Sequence, residues 1–152
     1  MSLYNVILEA ERKNNPLNTF SNFTVESKGK TPEIRCNIED GTIYIGGNCI
    51  PEDAYSFFEP LNRWLDEYLD NPADRTVMTV DLHYFNTSSA NILLHLFKKI
   101  SSLKPMGKEL LIEWIHEEDD EEIEEAGGDY AAIIGTHLVL KPKASFWMTQ
   151  AS

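Results

Sequence analysis

Positive charge, cysteine and long apolar runs are all scarce in this 152-residue chain. Lysine and arginine number 13 against 25 aspartates and glutamates, giving a net charge of −12. A surface so poor in cations has little with which to neutralise phosphates, which excludes nucleic-acid binding as its main role. The only cysteines, Cys36 and Cys49, fall on or near predicted strands without metal-ligand spacing and read as reduced packing residues. No apolar run approaches the roughly 20 residues of a membrane span, so no membrane insertion is expected. The N-terminus has no basic stretch followed by an apolar one, so no secretory signal is expected and the chain is placed in the cytoplasm. The sequons Asn22-Phe23-Thr24 and Asn86-Thr87-Ser88 then carry no glycosylation.

The apparatus of common catalysts is missing too. There is no glycine-rich phosphate loop and no Gly-x-Ser-x-Gly elbow. His83, His95, His116 and His137 are scattered, and each reads as a solvated or internally satisfied residue. His116 beside Glu117 to Asp120 could hold a cation loosely, but acidic runs are usually solvated faces, and neither a metal nor another cofactor is expected. Asp81 reads as a structural or hydrogen-bonding residue inside a strand, or as a lone carboxylate for which no nucleophile–base–orienter set can be assembled.

What is present is enough for one domain with a real core: 42% hydrophobic residues at a mean hydropathy of −0.33. Residues 1–22 form a polar leader in which Leu3, Val6, Ile7 and Ala10 recur at helical spacing; residues 23–140 form the domain, and 141–152 a tail in which Phe146 and Trp147 have no assigned place. Phe23 to Glu26 suits a first strand. Ile34 to Glu39 and Thr42 to Gly46 alternate apolar and polar residues about Asp40-Gly41, a strong hairpin signal. Pro51-Glu52-Asp53 opens a long helix whose stripe is Ala54, Phe57, Phe58, Leu61, Trp64, Leu65 and Tyr68, with Pro60 expected to kink or restart it.

A central strand follows over Thr76 to Leu82, then a helix over Ser88 to Leu103, then a strand over Glu109 to Ile115. Eight acidic residues crowd Glu117 to Glu125, a stretch expected to end at Gly127-Gly128, with a last strand or short helix over Ala131 to Leu140. Helices between successive strands imply parallel crossovers, so the fold class is α/β, a mixed β-sheet with helices packed on it.

The stretch that organises the rest is Thr79 to Ser89, a buried strand running into a helix start. Asn86, Thr87 and Ser88 are all good N-cap types. A hydroxyl held there sits at the positive end of a helix dipole, where a phosphate dianion would meet free N–H groups. A plain helix cap and a phosphorylation switch are both open readings of these residues, and they are compatible. Tyr84 and Phe85 are candidates for the apolar part of a partner-binding surface, or else core residues.

The run Tyr84-Phe85-Asn86-Thr87-Ser88-Ser89, with Ile45-Gly46, Pro51-Glu52, Trp64-Leu65, Gly107, Trp114, Asp119-Asp120 and Gly127 to Asp129, resembles the SiaC family of bacterial regulatory phosphoproteins over about Phe23 to Leu140. That family is similar in fold and logic to STAS-type anti-sigma-factor antagonists. The resemblance implies a STAS-like sheet and a partner switch in which a protein kinase phosphorylates Thr87 and a PP2C-type phosphatase reverses it. It also implies that the unmodified form activates a diguanylate cyclase, coupling the switch to cyclic-di-GMP and biofilm formation, with Asn86, Ser88 and Ser89 as the setting of Thr87. Cys49 and Asp53 stand where serine and asparagine are expected around the Pro-Glu pair.

Two other readings remain. One is an unphosphorylated scaffold whose acidic stretch binds a basic partner; the other is a small enzyme using Asp81. The apolar residues in the tail would permit a homodimer.

Overall fold

The computed structural model describes residues 2–3, 21–135 and 137–145. The leader helix expected from Leu3 to Ala10, apart from Leu3 itself, and the tail residues Phe146 and Trp147 lie outside the described residues.

The Asp-Gly hairpin is the seed of the sheet. Strands β2 (Glu33–Asn37) and β3 (Thr42–Cys49) pair antiparallel, with Ile34 opposite Ile45 and Cys36 opposite Ile43. Asn37 Oδ1 accepts from the Asp40 N–H at 2.9 Å, and Gly41 turns the chain at φ +67°. Glycine is needed there on two counts: the positive φ, and a Cβ that would strike the Arg75 carbonyl. β1 (Phe23–Val25) joins the free edge of β2, antiparallel.

From β4 onward every strand is parallel to its predecessor and is reached through a helix. α1 (Ala54–Asp70) leads to β4 (Arg75–Phe85), and α2 (Thr87–Ile100), with a 3₁₀ turn at Ser101–Leu103, leads to β5 (Glu109–Glu117). α3 (Glu121–Ile134) leads to β6 (Leu138–Lys143), and the strand order is simply β1 to β6. This is the mixed α/β sheet expected from the element order.

Burial shows where the helices lie. On β4, Thr76, Met78, Val80 and Leu82 are buried; on β5, Leu110, Ile112, Trp114 and His116. The apolar stripes of all three helices join the same core cluster, so they cover one face of the sheet. The other face carries the half-exposed Thr79, Asp81, Leu111 and Glu113. Each fully buried Leu or Phe in such a cluster contributes about 2 kcal/mol.

Three sequence expectations are corrected. Pro51-Glu52-Asp53 does not open α1 from within: Asp53 is its N-cap, the carboxylate accepting from the Ser56 N–H at 3.1 Å, and Pro51 and Glu52 lie outside the helix. Pro60 neither splits nor restarts α1, which runs unbroken from Ala54 to Asp70 because Phe58 on one side and Leu61, Trp64, Leu65 and Tyr68 on the other are all buried against the sheet. The acidic stretch does not end at Gly127-Gly128: α3 continues through both glycines to Ile134.

β6 also runs through Lys141-Pro142-Lys143, placing those residues in the sheet. Its terminal bonds, Ile112 N–H to His137 O and Glu118 N–H to Lys143 O, fix the register so that odd-numbered residues face β5. Pro142 therefore points its missing N–H off the sheet edge, where no ladder bond is lost.

Candidate functional site

The end of β4 departs from regular pairing just before the motif. Leu82 lies opposite Gly47 but Tyr84 lies opposite Asn48, so His83 is an extra residue, a β-bulge. The bulge breaks the alternation: His83 and Tyr84 both turn outward, Tyr84 being 56% exposed, and Phe85 turns back toward the core. Phe85 meets the Trp114 ring edge-on at 5.9 Å. Of the two aromatic candidates, Tyr84 is thus a surface residue and Phe85 a packing one.

Asn86 then fixes the turn into α2 with every polar group it has. Its N–H donates to Cys49 O at 3.0 Å, continuing the β3–β4 ladder, and its own carbonyl accepts from Ala90. Its Oδ1 accepts from the Ser89 N–H at 3.0 Å and from the Ser88 hydroxyl at 3.4 Å, while Nδ2 donates to Pro51 O at 3.2 Å. Among the three candidate caps, Asn86 is the one that caps. Thr87 and Ser88 are the first two residues of the helix, so their N–H groups have no carbonyl within it to bond.

The three hydroxyls of the motif have different fates. Thr87 and Ser88 are exposed, whereas Ser89 is fully buried and its Oγ has no hydrogen-bond partner of ordinary geometry. That hydroxyl lies beside the Cys49 thiol, whose pKa is pushed up by burial and drawn part of the way back by Ser89. Cys49, at the end of β3, is a core residue, so a thiol replaces the expected serine at no cost in exposed polarity. Asp53 replaces the expected asparagine with an equivalent helix cap, and the hydrogen bonds from Ser56 hold its pKa below the ordinary carboxylate value.

Underneath the motif lies a support that sequence reasoning did not assemble. Tyr130 of α3 donates from its hydroxyl to Ala90 O at 2.7 Å, tying α3 to the first turns of α2. Burial, with Cys49 second, pushes the pKa of Tyr130 up to about 12. Trp114 packs against Phe97 and Tyr130 and donates from Nε1 to Ile123 O at 2.8 Å. Asp120 caps α3 by accepting from the Ile123 N–H, and Gly127 lies against the Trp114 ring. Trp114, Asp120 and Gly127 were visible in the sequence only as separate residues; no local pattern links them.

The remaining candidates lie elsewhere. Asp81 accepts from Lys143 Nζ at 2.8 and 3.0 Å, on the sheet face opposite the helices. Its carboxylate is held there in an ion pair with Lys143. His116 is buried and donates from Nδ1 to the backbone carbonyl of Glu117 at 2.9 Å. Among the described residues no three His, Cys, Asp or Glu side chains are grouped to hold a metal ion, and no helix is long and apolar enough to cross a membrane.

This fold has close counterparts. A crystal structure of apo-SiaC from Pseudomonas aeruginosa superposes with a TM-score of 0.72 at 18% identity, covering 80% of this chain and 98% of that one. A second, of the diguanylate cyclase SiaD in complex with its activator SiaC from the same organism, matches at 0.74 and 17% identity, covering 80% of this chain and 99% of that one. An uncharacterised protein of Pseudomonas aeruginosa strain UCBPP-PA14 is 20% identical over 110 residues, 72% of this chain and 87% of its own length. The model of the SiaC family of regulatory phosphoproteins matches residues 25–143, from the first strand to the last, and the chain belongs to that family.

Proposed function

We propose that this protein is a non-enzymatic partner switch set by reversible phosphorylation of Thr87. In its unmodified form it binds and activates a diguanylate cyclase in the cytoplasm, and so acts on cyclic-di-GMP and biofilm formation. A protein kinase adds the phosphate and a PP2C-type phosphatase removes it. The observation that carries this reading is the placement of Thr87: exposed, at the first position of α2, next to two unbonded N–H groups, with the cap itself supplied by Asn86. The hydroxyl is therefore free to be modified without dismantling the turn. Membership of a family of regulatory phosphoproteins supports it, as does the cyclase complex formed by the relative.

About two negative charges at Thr87 would meet the free N–H groups and the positive end of the α2 dipole, so the folded state tolerates them. A partner surface built to cover a neutral hydroxyl and the exposed Tyr84 does not, and only such a difference in affinity makes a switch.

The test is intact mass with phosphosite mapping on protein from its native cells. A single phosphate on Thr87, absent from Thr87→Ala, is the expected result. Modification persisting on Thr87→Ala, or no phosphate under any growth condition, would leave the motif a helix cap.

A further inference from the structure

A phosphate on Thr87 has few donors to meet. Asn86 ties its own segment to Cys49 and Pro51, and neither Cys49 to Asp53 nor His83 to Asn91 contains a lysine or an arginine. Phosphate is most often held by such cations, arginine above all. The cations of α2, Lys98 and Lys99, lie in its last turn, roughly 16 Å along the axis from Thr87. Lys143 is held by Asp81 on the open face of the sheet. What the helix itself offers is the N–H groups of Thr87 and Ser88, its first two residues, and any hydroxyl that leans over them.

Two serines follow Thr87, and the structure separates them. Ser89 is fully buried with its hydroxyl beside Cys49, so it cannot serve a group in solvent without leaving the core. Ser88 is exposed, and its hydroxyl is turned back toward the cap, donating to Asn86 Oδ1 at 3.4 Å. That bond is long for a hydroxyl donor, whose ordinary distance is about 2.7–2.8 Å. It is also dispensable, since Asn86 Oδ1 already accepts from the Ser89 N–H at 3.0 Å. Adjacent residues point about 100° apart around a helix. At its open end, however, both side chains can curl over the axis, as that of Ser88 already does. The Ser88 proton is therefore within the range of a stronger acceptor, and a phosphate dianion is one. Hydrogen bonds to ionised acceptors are shorter than neutral ones and about twice as strong.

We infer that Ser88 is the positioning residue of the switch. When Thr87 carries phosphate, the Ser88 hydroxyl changes acceptor, from Asn86 Oδ1 to a phosphate oxygen, and holds the group over the first N–H groups of α2. The inference rests on the switch reading above and names the side chain that fixes its charged state. Asn86 keeps its bonds to Cys49, Pro51 and Ser89, so the turn is the same in both forms and only the surface differs. A phosphothreonine loses its second proton near pH 6, and each donor to the dianion lowers that value. With Ser88 donating, the phosphate stays a dianion at neutral pH, and a partner meets either a hydroxyl or two full charges.

The test installs phosphothreonine in place of Thr87 in the full chain by codon suppression, so that it does not depend on the native kinase. The phosphate is then titrated by phosphorus NMR. The expected result is a second pKa below that of the same chain unfolded in urea. Ser88→Ala raises it by about half a pH unit, a threefold change in proton affinity, and Ser88→Thr, which keeps a hydroxyl, restores it. The titratable groups on the neighbouring elements, Cys49, Glu52, Asp53, His83, Tyr84 and Tyr130, are common to all three chains and cancel in the comparison. A purely structural role for Ser88 would move the melting temperature and leave the phosphate pKa alone. Ser88→Ala titrating like the parent, or Ser88→Thr titrating like Ser88→Ala, overturns the inference. Either result refutes the role of Ser88 alone, whereas absence of phosphate from Thr87 in native cells refutes the switch reading.

Discussion

At the scale of the residue, Asn86 bears more of the site than the threonine it positions. It joins three elements: the end of β3 through Cys49 O, the approach to α1 through Pro51 O, and the first turn of α2 through Ser89 N–H. Replacing it with alanine removes the cap, about 1 kcal/mol, and the hydrogen bond to Pro51, about another 1 kcal/mol. Asn86→Ala is therefore expected to lower stability by about 2 kcal/mol in urea denaturation. Asn86→Asp keeps the cap acceptor and adds a favourable charge at the dipole's positive end, losing only the donor to Pro51, so about half that loss is expected. If the aspartate variant proves as unstable as the alanine one, the cap is not what holds the turn. The Thr87 side chain makes no described hydrogen bond, which is why Thr87→Ala can serve as a clean test of modification rather than of folding.

At the scale of the element, the two adjacent glycines of α3 are expected to respond in opposite directions. A Cβ at Gly127 would be driven into the Trp114 ring, whereas one at Gly128 meets nothing within 4 Å. Alanine is favoured over glycine in a helix interior by about 1 kcal/mol, so Gly128→Ala should stabilise by up to that amount. Gly127→Ala must set the same gain against overpacking a buried indole, a cost of about 1–3 kcal/mol, and should destabilise. Thermal melts of the two variants decide this: equal shifts of the same sign would mean that α3 does not depend on close approach to Trp114.

The same pair shows where sequence reasoning ran out. Elements written in local pattern were legible: the hairpin at Asp40-Gly41, the stripe of α1, the strand leading into Asn86 and the parallel crossovers. A glycine pair reads locally as a helix stop, and nothing near Gly127 in the chain announces a tryptophan on another strand. Pro60 misled in the same way, since propensity was overridden by the burial of its neighbours. The site was legible as a set of cap-forming residues, and the resemblance singled out Thr87. Which residue capped was not legible, because Asn, Thr and Ser are near-equivalent caps and the choice depends on Pro51 and Cys49. Nor was the bulge at His83, because the apolar alternation continues through it.

At the scale of the molecule, a sheet that among the described residues is covered on one face and open at both edges must avoid pairing with its own copies. β1, at one edge, is only three residues long. β6, at the other, is longer and carries the exposed Val139 and Leu140, which makes it the greater hazard. Leu138, Leu140 and Pro142 point their backbone groups outward, and the proline removes one donor from that row. The flanking Lys141 and Lys143 are ion-paired to Glu113 and Asp81 across the open face, which holds the strand in register. Pro142→Val restores an outward N–H and adds a β-branched residue, leaving every bond to β5 in place. The variant is therefore expected to fold normally by circular dichroism but to self-associate in sedimentation velocity at concentrations where the unsubstituted chain does not. Added salt should strengthen the association by screening the repulsion between copies of net charge −12. A variant that sediments like the parent at every concentration would mean that charge alone keeps the edge apart and that the proline is incidental.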